Sequence, residues 1–241
     1  MPTARPKYRR VLLKLSGEAF GTGSGSGMNI ESVRRIAQPL VEMHRRGVQM
    51  AVVIGGGNIV RGHSLAHTGV TPTAADTMGM LATVINGVVL QDVLESLGVD
   101  TRLQTAIPMQ AVAEPFIRRR AIRHLEKGRV VILAGGTGSP HFTTDTAAAL
   151  RAREICAEVL LKATNVDAVY SDDPRKNAKA TKYARLTYHD VLRDNLRVMD
   201  ATAIALCREG KLPIIVFDMN RPGSIRDAIF GKSVGTYIGE K

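Results

Sequence analysis

Short apolar runs alternate with helix-like segments along almost the whole chain, and this alternation constrains the fold more than any other feature. The runs are "VLLKL", "QMAVVI", "DTRLQ", "RVVILA", "EVLLKA" and "LPIIVFD", beginning at residues 11, 49, 100, 129, 158 and 212. Runs of this length, rich in Val, Ile and Leu, are typical of parallel strands covered on both faces. Segments with helical periodicity lie between these runs, at about 31–46, 76–97, 114–127 and 199–210. Two further helical segments begin near residue 144 and after Pro222. The alternation predicts an α/β fold, a three-layer αβα sandwich with a mostly parallel central sheet.

The chain shows no linker or composition break, so we expect a single domain over residues 1–241, with residues 1–8 as a loose basic tail. Pro39 falls inside the first helical pattern and should kink or shorten that helix. The segment "GTGSGSG" at 21–27 has the composition of a flexible surface loop. The helix at 76–97 is apolar on almost every side, which suits either the core or a contact between subunits, and we favour a homo-oligomer.

The chain is basic, with 33 Lys and Arg against 22 Asp and Glu, which favours anionic partners, either phosphates or nucleic acid. The densest basic segment, at 118–129, would spread its charges around a helix, as a solvated face does. Aromatic residues make up only 4% and Trp is absent, which argues against stacking of single-stranded nucleic acid. We therefore do not expect nucleic acid to be the partner.

The cysteines and the apolar runs indicate a cytoplasmic protein with no membrane contact. Cys156 and Cys207 have no zinc-ligand spacing, and a reducing compartment suits them. The apolar runs are far shorter than a bilayer span, and the start "MPTARPKYRR" lacks the apolar core of a secretory signal.

Two glycine-rich segments directly follow strand-like runs: "IGGGN" at 54–58 and "AGGTGSPHFTTDTAA" at 134–148. Backbone without side chains lets N–H groups converge on an anion such as a phosphate, and Arg61 could add a two-pronged contact. A tight turn is the alternative for the first segment. Neither GxxxxGK[ST] nor GxGxxG is present, and "GKS" at 231–233 lacks the first glycine because Arg226 stands in its place. This excludes the P-loop and dinucleotide-binding fingerprints.

Two lysines occupy equivalent places near the ends of their strand-like runs, Lys14 in "VLLKL" and Lys162 in "EVLLKA". Lysine is seldom buried without a partner, and the carboxyl ends of parallel strands are where α/β proteins bind ligands. Two such lysines could bracket a phosphoryl group in transfer and neutralise its charge. For Lys14 alone, a lysine facing water from an edge strand is an equal alternative.

Acidic residues and a histidine complete the candidates. Thr144 or Asp145 could cap a helix beginning at Thr146, and Asp145 could also hold the two lysines in register. His141 is interpreted as a lining or surface residue rather than a general base. In "YSDDPRK" at 170–176, Asp172 or Asp173 could contact ribose hydroxyls or help to hold a metal–nucleotide, although the segment by itself indicates a turn.

These segments together resemble the amino-acid kinase superfamily, most closely its bacterial-type uridylate (UMP) kinases. The resemblance rests on "LLKLSGE", "VVIGGGNIVRG", "DTMGMLATVING", "GTGSPHFTTDTAA", "LKATNVDAVYSDDP", "VMDATA" and "LPIIVF", in that order and at the family's spacing. It implies reversible transfer of the ATP γ-phosphoryl group to UMP, giving UDP and ADP in pyrimidine nucleotide (CTP/UTP) biosynthesis. Residues 1–155 would mainly serve UMP and residues 156–241 mainly ATP, with Mg²⁺ arriving with ATP and no residue assigned as a metal ligand.

The resemblance also implies a role for individual residues. Lys14 and Lys162 match catalytic lysines, and Asp145 matches the residue that organises them. The positions that match UMP contacts are Gly56, Arg61, Asp76, Thr137, Gly138, Ser139, Pro140, His141, Phe142, Thr143 and Thr144. The positions that match ATP contacts are Lys14, Leu15, Ser16, Gly17, Gly57, Arg61, Thr164, Asn165, Tyr170 and Asp173.

The family is typically a hexamer built from dimers, and GTP activation and UTP inhibition are the expected regulation. Arg102 and Arg129 match effector-binding arginines. Ser139 stands where relatives often have Asn, which would change one contact to the base.

Two other hypotheses remain at this point. The first is a kinase of the same fold that phosphorylates a carboxylate or carbamate, although Asp76 and the hydroxyl-rich loop favour a nucleotide acceptor. The second is a basic nucleic-acid-binding protein, indicated by charge alone, which would bind DNA or RNA in a salt-sensitive way without kinase activity.

Overall fold

The computed structural model describes residues 5–21, 27–60, 69–174, 176–177 and 179–240. The strands in these residues are β1 (Arg10–Leu15), β2 (Gln49–Ile54), β3 (Thr101–Thr105), β4 (Glu114–Pro115), β5 (Val130–Ala134), β6 (Val159–Thr164), β7 (Val169–Tyr170), β8 (Lys182–Tyr183), β9 (Arg185–Leu186), β10 (Ile214–Asp218) and β11 (Gly235–Ile238). The α-helices are α1 (Ile30–Arg45), α2 (Pro72–Ser96), α3 (Arg118–Glu126), α4 (Thr144–Glu154), α5 (Tyr188–Arg193), α6 (Ala201–Glu209) and α7 (Ser224–Ile229).

Nine strands form one sheet in the order β4-β3-β5-β2-β1-β6-β10-β11-β9. Neighbouring strands run parallel except for the antiparallel pair β10–β11. The strands β7 and β8 form a separate antiparallel hairpin. The predicted mostly parallel sheet is therefore confirmed.

A hydrophobic core lies on each face of the sheet. On β1, Val11, Leu13 and Leu15 pack with residues of α1, α2 and α7. Leu12, which points to the opposite face, packs with residues of α3, α4, α5 and α6. Because successive side chains on a strand point to opposite faces, one apolar run supplies both cores. The αβα sandwich is confirmed.

Several element boundaries differ from the prediction. The helix α2 begins at Pro72 rather than near Asp76, because Thr71 caps it and proline suits the first helical position. The helix expected over 114–127 is shorter, since residues 114–115 pair with β3 as the strand β4. The strands β7, β8, β9 and β11 were not predicted, because two to four residues carry too little periodicity.

The helix α1 is not shortened at Pro39, contrary to one of the expected outcomes, and continues to Arg45. Proline removes the hydrogen bond to the carbonyl four residues earlier, which belongs to Arg35. Arg35 lies on the exposed side of the helix, while Ile36 and Leu40 stay buried in the core. Packing of the buried side therefore outweighs the lost bond.

The N-terminal segment is anchored earlier than expected. The backbone N–H groups of Lys7 and Tyr8 both donate to the Ile229 carbonyl, and Tyr8 is buried. The expected loose tail over residues 1–8 is therefore wrong for these two residues. The glycine-serine loop at 21–27 lies almost wholly outside the described residues.

Among the described residues, α2 is the helix that is long and apolar enough by composition to cross a membrane. It contacts α1, β3 and β5, and it buries the polar side chains Thr83 and Asn86. Packing on the sheet accounts for the apolar residues on its buried side, while Met78, Leu81, Ile85 and Val88 are exposed.

Candidate active site

Lys14 and Lys162 lie side by side on neighbouring strands. The strands β1 and β6 are parallel neighbours, and Lys14 is the register partner of Lys162. Side chains at paired positions of a parallel ladder point to the same face of the sheet. The strand order and the register therefore bring the two lysines to one site, as the sequence predicted.

Asp145 lies between the two ammonium groups. Its Oδ1 is 3.0 Å from Lys14 Nζ, and its Oδ2 is 2.7 Å from Lys162 Nζ. The exposed fractions of the three side chains are 13% for Lys14, 12% for Lys162 and 15% for Asp145. Two ammonium groups and one carboxylate leave this group of three, the lysine–aspartate triad, with a net charge of +1, which suits an anionic substrate.

The pKa values in the triad are shifted by burial and by mutual charge. Burial alone would raise the pKa of Asp145, but the charges of Lys14 and Lys162 outweigh burial and the pKa is lowered. Burial lowers the pKa of Lys162, and the positive charge of Lys14 adds to this, while Asp145 opposes it. Asp145 therefore stays ionised at neutral pH and cannot readily act as an acid.

Thr143 fixes the position of Asp145. Its Oγ1 accepts hydrogen bonds from the N–H groups of Asp145, at 3.0 Å, and Thr146, at 3.2 Å, so Thr143 is the N-cap of α4. The expectation that Thr144 or Asp145 caps a helix beginning at Thr146 is wrong, because α4 begins at Thr144. Since Asp145 lies in the first turn rather than at the cap, its carboxylate is available to the lysines.

Residues 198–200 complete the triad's surroundings, and the sequence reasoning assigned them no role. Lys162 Nζ donates to the Val198 carbonyl. Asp200 accepts a hydrogen bond from Thr143 Oγ1 and another from Thr146 Oγ1 at 2.9 Å, and it also caps α6. Asp200 thus holds the cap that positions Asp145. The position of Asp200 before a helical pattern indicated a helix cap. It did not indicate contacts to Thr143 and Thr146, which lie more than fifty residues away in the chain.

The first glycine loop, residues 55–57, is packed closely at Gly55 and Gly56, and a Cβ on Gly55 would lie 2.8 Å from the Gly17 nitrogen. A Cβ on Gly56 would lie 2.6 Å from the Gly79 carbonyl oxygen, and a Cβ on Gly17 would lie 2.5 Å from the Gly57 nitrogen. A Cβ on Gly57 would meet no atom within 4 Å. Steric relief therefore accounts for Gly17 and Gly56, whereas Gly57 borders open space.

The second glycine loop, residues 135–143, turns from β5 towards α4. Gly135, Gly136 and Gly138 all have positive φ, a backbone conformation that glycine adopts without strain. His141 also has a positive φ of 69°, and its N–H donates to Asp76 Oδ2 at 2.8 Å. This bond brings Asp76, on the first turns of α2, to the predicted acceptor loop. The remaining predicted loop residues range from half-buried to exposed, namely Thr137, Ser139, Pro140, Phe142, Thr143 and Thr144.

The residues predicted for ATP lie at the ends of β1 and β6 and in the β7–β8 region. Leu15 is the last residue of β1, and Ser16 and Gly17 directly follow it. Thr164 ends β6, and its hydroxyl donates to the Val166 carbonyl. Tyr170, which lies on the β7–β8 hairpin, donates its hydroxyl to Asp167, and the Asp173 carbonyl accepts two backbone bonds. Arg61 lies outside the described residues.

A cavity of about 1060 Å³ adjoins this edge of the sheet. Its wall includes Leu15, Asn165, one side of α1 and the segment 219–226. Of the predicted ATP positions, Leu15 and Asn165 therefore border a space large enough for part of a nucleotide.

Arg102 and Arg129 lie together, in a cluster around β3, β4 and α3. Arg129 Nη1 is 3.0 Å from His124 Nδ1, His124 Nε2 is 3.1 Å from Glu114 Oε2, and Arg102 Nε is 4.0 Å from Glu114 Oε1. Burial would raise the pKa of Glu114, but hydrogen bonds from Gln104 and His124 and the charges of His124 and Arg120 outweigh it, so the pKa is lowered. Both arginines are thus held by protein partners.

Within the described ranges, no group of three or more His, Cys, Asp or Glu side chains is arranged to hold a metal ion. Both oxygens of Asp145 already contact ammonium groups.

The sheet, the lysine–aspartate triad and the glycine loops define a phosphotransferase-type site on an α/β sandwich. Residues 9–218 match the family model described as the amino acid kinase family, and the chain belongs to this family. A UMP kinase from Bacillus anthracis is 42% identical, with a TM-score of 0.94, over 98% of this chain and 97% of that one.

Two further solved structures are similar over nearly their whole length. A UMP kinase from Ureaplasma parvum is 34% identical, with a TM-score of 0.92, over 97% of this chain and 100% of that one. A uridylate kinase from Archaeoglobus fulgidus is 31% identical, with a TM-score of 0.74, over 95% of this chain and 99% of that one.

Proposed function

We propose that this chain is a UMP kinase, which transfers the γ-phosphoryl group of ATP to UMP and releases UDP and ADP. The observation that carries the proposal is the in-register pair Lys14 and Lys162, bridged by Asp145 in the first turn of the helix that follows the second glycine loop. The similarity to solved UMP kinases at 31–42% identity over nearly the full length supports the choice of UMP as acceptor. The reaction belongs to pyrimidine nucleotide biosynthesis, because UDP leads to UTP and CTP.

In this reaction a phosphate oxygen of UMP attacks the γ-phosphorus, and the bond to the oxygen bridging the β- and γ-phosphorus breaks. The electron pair of that bond stays on ADP. Negative charge on the transferring group is neutralised by the ammonium groups of Lys14 and Lys162. Asp145 organises the lysines and is not the base, because its two oxygens contact them and its pKa is lowered.

UMP would lie against the surface that Asp76 and the second glycine loop form together. The Asp76 side chain is 41% exposed, so a ribose hydroxyl can reach its carboxylate. Gly56, Arg61 and the residues from Thr137 to Thr144 would contribute the remaining contacts, and Ser139 would contact the base differently from an Asn at that position.

ATP would lie over the ends of β1 and β6. Lys14, Leu15, Ser16 and Gly17 would contact it from one side, together with Gly57 and Arg61, and the residues on the other side would be Thr164, Asn165, Tyr170 and Asp173. Mg²⁺ would enter bound to the phosphates of ATP and supply further positive charge there. Residues 1–155 would then supply every proposed UMP contact and one side of the ATP site, while residues 156–241 would supply ATP contacts only.

The chain would form a homo-oligomer, by resemblance a hexamer, in the cytoplasm. On α2, the side chains of Met78, Leu81, Ile85 and Val88 are 39–50% exposed and lie at helical spacing along one side. A second copy of the chain would cover this row. Replacing Ile85 by Lys should then reduce the molar mass measured by light scattering, and an unchanged mass would remove α2 from the interface.

GTP activation would act through the cluster that contains Arg102 and Arg129, and UTP would inhibit the enzyme. Initial rates measured with and without each nucleotide would test this. Equal initial rates with and without each nucleotide would refute the proposed regulation.

The experiment that tests the function is a comparison of acceptors. The purified protein is incubated with Mg-ATP and, separately, UMP, CMP, dTMP, aspartate, glutamate or carbamate, and ADP release is followed. We expect much the fastest turnover with UMP. Turnover with an amino acid or carbamate instead would identify a carboxylate or carbamate kinase, and no turnover with UMP would refute the proposal.

A further inference from the structure

The helix α2 carries two buried polar side chains on an otherwise apolar inner side. Thr83 is 4% exposed and Asn86 is 0% exposed, and they lie one turn apart. Burial of a hydroxyl or an amide costs free energy unless its hydrogen bonds are made. The packing of α2 on the sheet does not require these polar groups, so their contacts point to another role.

Thr83 contacts the second glycine loop. Its Oγ1 accepts a hydrogen bond of 2.7 Å from the N–H of Gly135, the first residue after β5, and donates one of 2.7 Å to the Met80 carbonyl. The bond to Gly135 is buried, and Gly135 has a positive φ. Thr83 therefore fixes the loop where it leaves the sheet.

Asn86 contacts the first glycine loop. Its Nδ2 donates to the Gly55 carbonyl at 2.8 Å and to Asn58 Oδ1 at 2.7 Å, and Asn58 Nδ2 returns a bond of 3.0 Å to Asn86 Oδ1. The same turn of α2 lies directly against Gly56, where a Cβ would come within 2.8 Å of the Ala82 Cβ. Asn86 thus fixes both ends of the segment 55–58.

We propose that Thr83 and Asn86 are positioning residues that hold the two glycine loops at a fixed separation on one rigid helix. This inference rests on the proposed function, in which the second loop carries UMP and the first borders both substrates. The two loops belong to different βα connections, and each is tied to α2 by a buried bond. Their separation sets where acceptor and donor meet relative to the lysine–aspartate triad, and small misplacements of reacting groups cost large factors in rate.

The two residues should give different kinetic effects. Thr83→Val keeps the shape of the side chain but leaves the Gly135 N–H buried without its acceptor. We expect the KM for UMP to rise about tenfold while the KM for ATP stays within about twofold. Asn86→Leu removes the bonds to the first loop, so we expect kcat to fall about tenfold or more.

A matched control and a rescue separate positioning from general destabilisation. Thr101→Val removes the hydroxyl of another fully buried threonine, whose Oγ1 bonds only to the Val99 carbonyl among the contacts described. This variant should leave both KM values and kcat near those of the wild type. Thr83→Ser retains the acceptor oxygen and should restore the KM for UMP to within about twofold.

Amide hydrogen exchange without substrates provides a readout that does not depend on activity. Thr83→Val should speed exchange in peptides that contain residues 135–138 but not in those that contain 55–58, and Asn86→Leu should do the reverse. If the Asn86→Leu variant does not fold, Asn86→Asp tests the positioning role of Asn86, and Thr83→Val tests that of Thr83. Unchanged exchange and kinetics in Thr83→Val, or equal changes in Thr101→Val, would overturn the inference. Absence of UMP turnover in the wild type would refute the proposed function instead, and the exchange data would still test the positioning.

Discussion

Replacement of Lys162 by Met tests whether the triad acts on the transferring phosphoryl group. Methionine keeps most of the volume of the lysine side chain but removes its charge. Lys14, which lies 3.0 Å from Asp145, is unchanged by the substitution, so the carboxylate is expected to keep a partner while the net charge of the triad falls from +1 to 0. The fold is therefore expected to survive, and the loss should appear in catalysis.

The size of the loss follows from distance and burial. The lysine and aspartate side chains are only 12–15% exposed, so water screens this site weakly. With an effective dielectric of about 20, unit charges about 3 Å apart interact by about 5–6 kcal/mol. Only the charge that develops in the transition state affects kcat, and removal of one such stabilising group costs about 3–4 kcal/mol, or about 10²–10³ in kcat. The binding of ground-state UMP should change much less.

The assay follows ADP release at saturating Mg-ATP and UMP, and calorimetry measures UMP binding separately. The matched control is Lys232→Met, because Lys232 also pairs with a carboxylate, at 3.1 Å from Asp227, but its side chain is 65% exposed. The control should retain wild-type kcat. If Lys162→Met keeps kcat within about threefold of the wild type, the assignment of Lys162 to the transition state is wrong.

Three further outcomes are expected. Burial lowers the pKa of Lys162 below its usual 10.5, so Lys162 should lose its ammonium charge at a lower pH than an ordinary lysine. We therefore expect kcat to decline as the pH rises towards 10.5. A kcat that is constant up to pH 10.5 would contradict this. Gly56→Ala places a Cβ against α2 and should lower the free energy of unfolding, measured by urea titration, by about 1–3 kcal/mol. The control Gly57→Ala should leave the free energy of unfolding unchanged, and equal stabilities of the two variants would contradict the packing argument. Asp200→Asn replaces an accepting oxygen that holds the α4 cap and should lower kcat about tenfold at unchanged UMP affinity, while an unaltered kcat would show that this contact does not matter for Asp145.

Much of the fold and part of the site could be predicted from local patterns. The apolar runs predicted the strands β1, β2, β3, β5, β6 and β10, because continuous burial on two faces leaves a signature in each run. Lys14 and Lys162 were found because a charged residue near the end of a buried strand needs a partner. The short strands were missed, since they depend on neighbours in the sheet rather than on their own composition.

The residues that position the triad could not be predicted in the same way. Asp200 and Thr143 each have the local signature of a helix cap, and only the folded chain brings their side chains into contact. Thr83 and Asn86 lie in a helix whose composition indicates apolar packing, so their hydrogen bonds to the glycine loops have no local signal.

By itself, the sequence determined which residue types end each strand and which segments can be buried. The tertiary structure alone decided that β1 and β6 are neighbours in a register that pairs Lys14 with Lys162. That decision follows from the packing of helices on both faces of the sheet, because strand order depends on contacts between residues far apart in the chain. Burial by itself disfavours the charged form of Asp145, and its carboxylate stays ionised because the same packing brings both ammonium groups within 3.0 Å of it.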